Sequence, residues 1–215
     1  MTVGREGSGT KRRIIDCTVQ LLAERGSNDL RLTDVADLAE VGLQTIYYHF
    51  TSRTHLIAEA QAFEYLQRIK PLHGYLDTIE RSLIEGDETT FWDALGENVK
   101  LSWSYGMRDD RWQTTTLLVD IWADDITREE FCAGLEIQIQ RWVNALDAAK
   151  PLGWIRPELD AYALLTSCWA GSIGQAIFVN SGKIHYTAES VRDFFLSVAR
   201  AAPESKDASK NRVSE

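Results

Sequence analysis

The chain has 215 residues, of which 44% are hydrophobic and 26% are charged. This length and composition suffice for a sizeable core in one domain or two small ones, and they exclude a disordered, collagen-like or disulfide-scaffold protein. Its 23 Lys and Arg residues against 32 Asp and Glu residues leave a net charge of −9, which argues against coating nucleic acid over the whole surface. A local basic site is compatible with this balance, because Arg5, Lys11, Arg12 and Arg13 are opposed only by Glu6 in the N-terminal arm.

The cysteine pattern and the hydropathy pattern both favour a cytoplasmic protein. Cys17, Cys132 and Cys168 form no CxxC pair and leave an odd thiol, as expected in a reducing compartment. No apolar segment follows the basic N-terminal residues, so we predict no signal peptide. The uncharged segment 161–182 is long enough to span a bilayer but carries too many Ser, Thr, Asn and Gln residues for a lone lipid-facing helix. We therefore predict a buried helix there and no membrane partner.

Helical periodicity runs along the whole chain, and strand alternation is absent, so we predict an all-α fold. The first predicted helix ends at Gly26, a residue that helix C-termini favour, and the fourth begins at Thr51 or Ser52, either of which can cap it. The prolines all lie beyond the first seventy residues, where we expect them to separate helices. The predicted helices cover residues 11–25, 32–39, 43–50, 51 or 52 toward Pro71, 72–85, 88–106, 111–125, 127–149, 158–180 and 187–202.

Catalytic and metal-binding motifs are missing from the sequence. It contains no CxxC, HExxH, ExxH, GxSxG, GxGxxG or complete GxxxxGK[ST] pattern, and its four histidines lack a metal partner one helical turn away. The SxxK match at Ser8–Lys11 lies in a glycine-bearing arm with no packed wall to activate the lysine. We predict no catalytic residue, no metal and no cofactor. An enzyme whose site assembles from residues distant in sequence is the alternative.

The segment Leu32–Arg53, LTDVADLAEVGLQTIYYHFTSR, has the spacing of a helix-turn-helix. On its second helix, Ile46 and Phe50 are four residues apart and would face the core, which leaves polar and aromatic residues on the other sides. Glutamine pairs bidentately with adenine, threonine offers a hydroxyl and a methyl group, and tyrosine and histidine tips reach phosphates. An ordinary amphipathic helix pair with aromatic core residues is the alternative interpretation.

The stretch from Ile14 to Ile57 strongly resembles the N-terminal domain of TetR-type transcriptional regulators, in the segments LLAERG, TDVADLAEVG, QTIYYHF and TSRTHL. The resemblance covers about 45 of 215 residues without a gap. It implies a three-helix DNA-binding head joined to a helical-bundle body that binds an effector and dimerises. The residues predicted to contact DNA are Thr33, Leu43, Gln44, Thr45, Tyr47, Tyr48, His49 and Arg53, with Lys11, Arg12 and Arg13 from the first helix.

The turn and the helix that follows it depart from the family pattern at three positions. Glu40 stands where the family usually has a glycine with positive φ. Gly42 replaces the customary serine cap of the recognition helix, and Leu43 replaces a residue that is commonly polar or basic. For Leu43, contact with a thymine methyl group is the alternative to a hydrogen bond with a base.

The aromatic residues of the body suggest an effector cavity, although core packing explains most tryptophans individually. We expect a small apolar or aromatic effector; a cationic ligand beside Asp120, Asp124 and Asp125 is the alternative. The candidate effector-binding residues are Trp92, Trp103, Tyr105, Trp112, Trp122, Tyr162, Trp169 and Phe178.

Small residues four apart in segment 161–182 allow close helix approach, and the family implies a four-helix homodimer interface there with the last helix. An intrachain core helix is the alternative. Such a dimer would read a pseudo-palindromic operator with two recognition helices roughly 34 Å apart. An effector that moves the fourth helix would change this separation and release the DNA.

The predicted function is therefore a homodimeric, DNA-binding transcriptional repressor released from its operator by a small effector. A helical small-molecule-binding protein with an inactive DNA-binding head is the alternative. The predicted divisions are a flexible basic arm (1–10), a helix-turn-helix domain (11–57), an effector-binding and dimerisation domain (58–203) and a disordered tail (204–215).

Overall fold

A computed structural model of the chain describes residues 3–105, 111–179 and 186–201, with side chains for 9–104, 116–175 and 186–201. Across these residues the regular structure is helical, apart from an isolated bridge between Ile155 and Arg200, and the predicted all-α fold is confirmed. The helices are α1 Val3–Arg25, α2 Leu32–Leu38, α3 Leu43–His49, α4 Arg53–Glu85, α5 Glu88–Tyr105, α6 Arg111–Trp122, α7 Asp125–Ala149, α8 Ala161–Val179 and α9 Ala188–Ala199. Within the described ranges, none of these helices has both the length and the apolar character needed to cross a bilayer.

Helices α1, α2 and α3 pack with the start of α4 around one hydrophobic core, which we call the head core. Ile46 and Phe50 are each 1% exposed in it, which confirms that this side of α3 faces inward. Burial of such side chains contributes on the order of 2 kcal/mol each to folding. The other buried members of the head core are Ile14, Ile15, Leu21, Leu22, Leu30, Val35, Ala36, Ala39, Leu56, Ile57 and Ala60.

The ends of these helices agree with the capping residues read from the sequence. Ser52 caps α4, and its hydroxyl accepts a hydrogen bond from the His55 amide at 3.0 Å. Gly42 occupies the cap position of α3 and supplies no side-chain hydrogen bond. Helix α1 begins at Val3 rather than at the predicted Lys11, so residues 3–10 continue this helix. The predicted tail, 204–215, lies outside the described residues.

Helix α4 does not end at Pro71, contrary to the prediction that the prolines separate helices. Proline lacks the amide hydrogen that would bond the carbonyl of Gln67, at a cost of about 3 kcal/mol inside a helix. The buried side chains on both sides of this position hold the helix together, since Tyr65 precedes Pro71 and Leu76 and Ile79 follow it in the cores of the body. The expected separate helix at 72–85 is therefore the second half of α4.

The body contains two separate clusters of buried side chains around the second half of α4. The first, which we call the lower core, joins α4, α5, α7, α8 and α9, with Leu76, Phe91, Leu146 and Ile155 fully buried. The second, the upper core, consists of Tyr65, Leu117, Ile121 and Phe131 from α4, α6 and α7. The upper core lies nearer to the head along α4.

The turn between α2 and α3 has the backbone geometry expected for a glycine position. Glu40 has a φ of 51°. Among the described residues it is the non-glycine residue with a positive φ. The left-handed conformation costs an ordinary L-residue about 1 kcal/mol, because its Cβ approaches a backbone oxygen. Glu40 therefore adopts the left-handed conformation at the position where the family usually has glycine, and it carries this steric cost.

We predict that Glu40→Gly stabilises the head by about 1 kcal/mol, because glycine adopts this φ without steric cost. Hydrogen exchange of amides in α2 and α3 measures the change locally. Glu136→Gly is the control: this exposed position lies inside α7, where glycine should destabilise by about 1 kcal/mol. Faster exchange in α2 and α3 of Glu40→Gly would contradict the strain at this turn.

Candidate nucleic-acid interface

Helix α3 exposes the side opposite the head core to solvent. Tyr48 is 83% exposed, Tyr47 57% and Leu43 39%, and Gln44 is exposed beside them. Thr45 and His49 are half-buried, and the His49 ring packs edge-on against Tyr48 with ring centroids 5.0 Å apart. These side chains are therefore accessible to a binding partner such as the bases and phosphates that line a DNA groove.

Thr33 lies exposed at the start of α2, where its hydroxyl is 3.4 Å from the carboxylate of Asp34. The carboxylate of Asp34 also accepts a hydrogen bond at 2.6 Å from the Arg25 guanidinium. This ion pair joins the end of α1 to α2 and fixes the position of the first helix of the pair.

The guanidinium of Arg53 forms hydrogen bonds within the chain, whereas a phosphate contact would require it to be free. Its Nε donates to the carbonyl of Leu30 at 2.9 Å, and its Nη2 donates to the carbonyls of Ser27 and Asn28. Arginine suits this task because its planar fork reaches several carbonyls at once. Arg53 thus holds the α1–α2 loop against the start of α4, a role for which the linear sequence carries no signal.

Two of the three predicted basic contacts on α1 are also paired within the head. Lys11 Nζ lies 2.7 Å from the Glu59 carboxylate on α4. The Arg12 guanidinium donates to Asp16 at 2.9 Å and lies over the Phe63 ring, 3.8 Å from its centroid. Arg13 is exposed to solvent. Lys11 and Arg12 therefore fasten α1 to α4.

Glu59 lies at the centre of a polar cluster that the sequence interpretation missed. The His55 Nε2 is 2.9 Å from Glu59 Oε1, and its Nδ1 accepts from the Thr51 amide at 3.1 Å. His55 is buried, and its four-residue spacing from Glu59 was the signal in the sequence that could have revealed the pair. Together with Lys11, this cluster joins the loop before α4 to α1.

Polar contacts link α4 to the body immediately beyond the head core. The buried Gln61 amide donates to Asp120 of α6 at 2.8 Å. Burial works against the charged form of Asp124, but the Thr127 amide and hydroxyl hold its pKa below the usual value, with a smaller contribution from His55 of α4. The α6–α7 junction therefore lies against the part of α4 that belongs to the head.

Two of the aromatic residues predicted for the effector site make side-chain hydrogen bonds at α8. Trp103 of α5 donates its indole N–H to Cys168 Sγ at 3.4 Å, and Trp169 donates to the Tyr65 hydroxyl of α4 at 3.0 Å. Burial raises the pKa of Tyr65 despite that hydrogen bond, and burial likewise raises the pKa of the Cys168 thiol. Both groups are therefore neutral at physiological pH.

Among the remaining predicted effector residues, Trp122 packs edge-on against Phe131, which in turn packs against Tyr65. Trp92 packs in the lower core against Phe91, Trp122 is 46% exposed at the end of α6, and Tyr162 is 55% exposed at the start of α8. The side chains of Tyr105, Trp112 and Phe178 lie outside the described residues. The assignment of the full predicted set to one effector site therefore stays a prediction.

A buried acceptor lies at the boundary between the two body cores. Gln138 Oε1 is the buried side-chain atom of the described residues that has no hydrogen-bond partner. Leu135 of the upper core and Trp142 of the lower core lie three residues before and four residues after it, on the same side of α7. An unsatisfied buried acceptor costs about 1–3 kcal/mol, so a donor supplied by a ligand would be favoured here.

No cluster of three or more His, Cys, Asp or Glu residues with metal-binding geometry occurs among the residues whose side chains are described. Within that part of the chain, both head and body contain ion pairs, such as Lys11 with Glu59 in the head and Arg141 with Glu80 in the body.

The N-terminal helices are similar in sequence to segments of known proteins. The family model for bacterial regulatory proteins of the tetR family matches residues 14–60, which cover the head core from Ile14 to Ala60. The HTH-type transcriptional repressor KstR of Rhodococcus jostii is 34% identical over 55 residues, which are 26% of this chain and 26% of that protein. The match thus spans about a quarter of the length of this curated relative. The N-terminal segment of the chain is thus similar to that of tetR-family regulatory proteins.

Solved structures extend the likeness in fold to most of the chain. A transcriptional regulator from Saccharomonospora viridis in complex with choline has a TM-score of 0.60 and 23% identity, with 88% of this chain and 95% of that chain covered. A TetR-family regulator from Mesorhizobium loti has a TM-score of 0.64 and 15% identity, with 91% and 98% covered. At these identities the likeness shows that head and body share the fold of these regulators.

We predict that Gly171→Ala destabilises the body by about 1–2 kcal/mol, because the new Cβ would lie 2.8 Å from the Trp103 ring. Tyr186 and Phe195 pack against that ring and limit its movement. Urea unfolding monitored by tryptophan fluorescence measures the loss.

Gly174→Ala is the matched control on the same helix, because its Cβ would meet nothing within 4 Å. This control should gain up to about 1 kcal/mol from helix propensity. Equal effects of the two substitutions would mean that Trp103 does not pack on Gly171.

Proposed function

We propose that this protein is a TetR-family transcriptional regulator that inserts α3 into the major groove of duplex DNA. The observation that carries the proposal is the exposed side of α3, where Gln44, Tyr47 and Tyr48 face solvent while Ile46 and Phe50 hold the helix on the head core. A helix anchored on one side and polar on the other is the geometry of helix-turn-helix recognition. Regulators of this family bind DNA and are not enzymes.

The predicted contacts divide into two kinds. Leu43 and Gln44, at the start of α3, are assigned to base edges, because the N-terminal residues of a recognition helix enter the groove. Thr33, Thr45, Tyr47, Tyr48 and His49 are assigned to phosphate and groove contacts. Arg13 remains in the proposed contact set as an exposed cation, whereas Lys11, Arg12 and Arg53 act first by positioning α1, α4 and the loop between α1 and α2.

The proposed form of the regulator is a homodimer that reads a pseudo-palindromic operator. One side of α8 packs on α5, α6 and α7, while Tyr162, Ala163, Ser167 and Ala170 of this uncharged helix are exposed. On α9, Phe194 is 61% exposed. Apolar and small residues exposed on two helices of each subunit support a four-helix interface, which fits two reading heads roughly one helical turn of DNA apart.

The proposed switch is a small effector bound in the body, at the boundary of the upper and lower cores. The unpartnered Gln138 Oε1 and the neutral Tyr65 hydroxyl support a largely apolar ligand that offers a hydrogen-bond donor. Because Tyr65 and the head-core residues Leu56 and Ile57 lie on the same helix, displacement of α4 would move the head. Repression relieved by the effector is the proposed direction, and the curated relative is named a repressor.

We predict that Gln44→Ala weakens specific DNA binding by roughly tenfold, because one bidentate base contact contributes about 1–3 kcal/mol of discrimination. The measurement is a gel shift of the full-length protein at fixed salt, with a duplex selected from a random pool. Gln140→Ala is the control, since Gln140 is an exposed glutamine on α7, remote in sequence from the head.

Equal affinities of Gln44→Ala and Gln140→Ala for the selected duplex would contradict the assignment of Gln44. Ligand binding without any sequence-specific complex would instead select the alternative of a helical small-molecule-binding protein with an inactive head. Turnover of a bound ligand would indicate an enzyme.

We predict that Phe194→Asp separates the homodimer into monomers, because a charge at the centre of an apolar interface loses its hydration. Sedimentation velocity of the purified protein reports the mass. Ile84→Asp provides the control, as Ile84 is 88% exposed at the end of α4, outside the proposed interface. A Phe194→Asp dimer as tight as the unsubstituted protein would place the interface elsewhere.

A further inference from the structure

The recognition helix carries no group suited to the commonest guanine contact. Its seven residues, LQTIYYH, contain neither lysine nor arginine, and α2, LTDVADL, contains none either. Arginine or lysine paired with guanine O6 and N7 is the most frequent specific contact in the major groove. Base recognition by this helix pair therefore has to use amide, hydroxyl and apolar groups.

Leu43 presents its apolar side chain at the end of α3 that enters the groove. It is the first residue of the helix and is 39% exposed, and it is absent from the residues that form or line the head core. The preceding Gly42 has no side chain, and a Cβ built there would meet nothing within 4 Å. The start of α3 is therefore open around Leu43, so that its methyl groups can approach a base edge closely.

The same side of α3 continues as an apolar and aromatic surface. Tyr47 lies four residues after Leu43, one helical turn along, and is 57% exposed. In the major groove the only apolar group on a base edge is the 5-methyl of thymine. Exposed apolar surface at the tip of a recognition helix is thus complementary to thymine.

The charges of the head strengthen this argument, because many of its cations are already paired. Lys11 pairs with Glu59, Arg12 with Asp16 and Arg25 with Asp34, and Arg53 binds loop carbonyls. In the three ion pairs, the neighbouring carboxylate offsets the attraction of the cation for the phosphate backbone. A smaller electrostatic share of binding leaves more of the selectivity to contacts with base edges.

We propose that Leu43 is a specificity-determining residue that recognises a thymine in each operator half-site through contact with its 5-methyl group. This inference rests on the proposed function, since it requires that α3 lies in the major groove. It specifies thymine as the base that an apolar residue would select at this position, where the family commonly has a polar one.

The test removes the methyl group from the DNA rather than from the protein. The full-length protein first selects its preferred duplex from a random pool, and each thymine of that duplex is then replaced by deoxyuridine. We expect one position per half-site at which this replacement weakens binding about fourfold, the effect of one methyl group leaving apolar contact. Thymines elsewhere in the duplex should tolerate the replacement.

Two leucine variants connect the effect to Leu43. In Leu43→Ala, binding to the thymine duplex weakens, and deoxyuridine at the sensitive position causes no further loss. Leu38→Ala is the matched control: Leu38 is 42% exposed at the end of α2, and this variant should keep the fourfold sensitivity. Circular dichroism verifies that both variants are folded, and the deoxyuridine scan of the unsubstituted protein needs no variant at all.

The possible results separate this inference from the proposed function. A selected duplex that tolerates deoxyuridine at every position, or a Leu43→Ala protein that keeps the full sensitivity, overturns the role of Leu43 and leaves DNA binding intact. Failure to select any sequence overturns both proposals.

Discussion

One helix, α4, belongs to both parts of this molecule, and the rest of the structure depends on it. Leu56, Ile57 and Ala60 complete the head core, whereas Tyr65 and Leu76 belong to the two cores of the body. A helix of 33 residues is a continuous rod about 50 Å long. Because most of its backbone hydrogen bonds resist bending, we propose that a change in the packing of its body half would reach the head as a change in position. Coupling between an effector and DNA needs such a shared element.

Charge is used in the head mainly for internal positioning. Lys11 and Glu59 join α1 to α4, and Arg53 holds the α1–α2 loop, at places where the resemblance to the family suggested DNA contacts. Partly buried pairs of this kind fix the relative orientation of helices more than they add stability. The head therefore offers little free positive charge, and this agrees with the net charge of −9 of the whole chain.

The body separates its packing into two cores instead of filling one. Gln138 lies on α7 between residues of the two cores and has an unpartnered oxygen, whereas burial raises the pKa of the Tyr65 hydroxyl within the upper core. Polar groups that are left unsatisfied inside a protein are costly unless another molecule completes them. The boundary between the cores is for this reason where we propose that an effector binds.

The sequence by itself determined the local features: helical periodicity, the Ser52 cap, the inward side of α3 at Ile46 and Phe50, and the glycine-like geometry of Glu40. These depend on residues within one or two turns of each other, whose interactions follow from spacing. Only the tertiary structure decided that α4 continues through Pro71, that Arg53 binds the α1–α2 loop, and that Trp103 contacts Cys168 while Trp169 contacts Tyr65. Each of those outcomes depends on partners far away in the chain, whose position no local pattern contains.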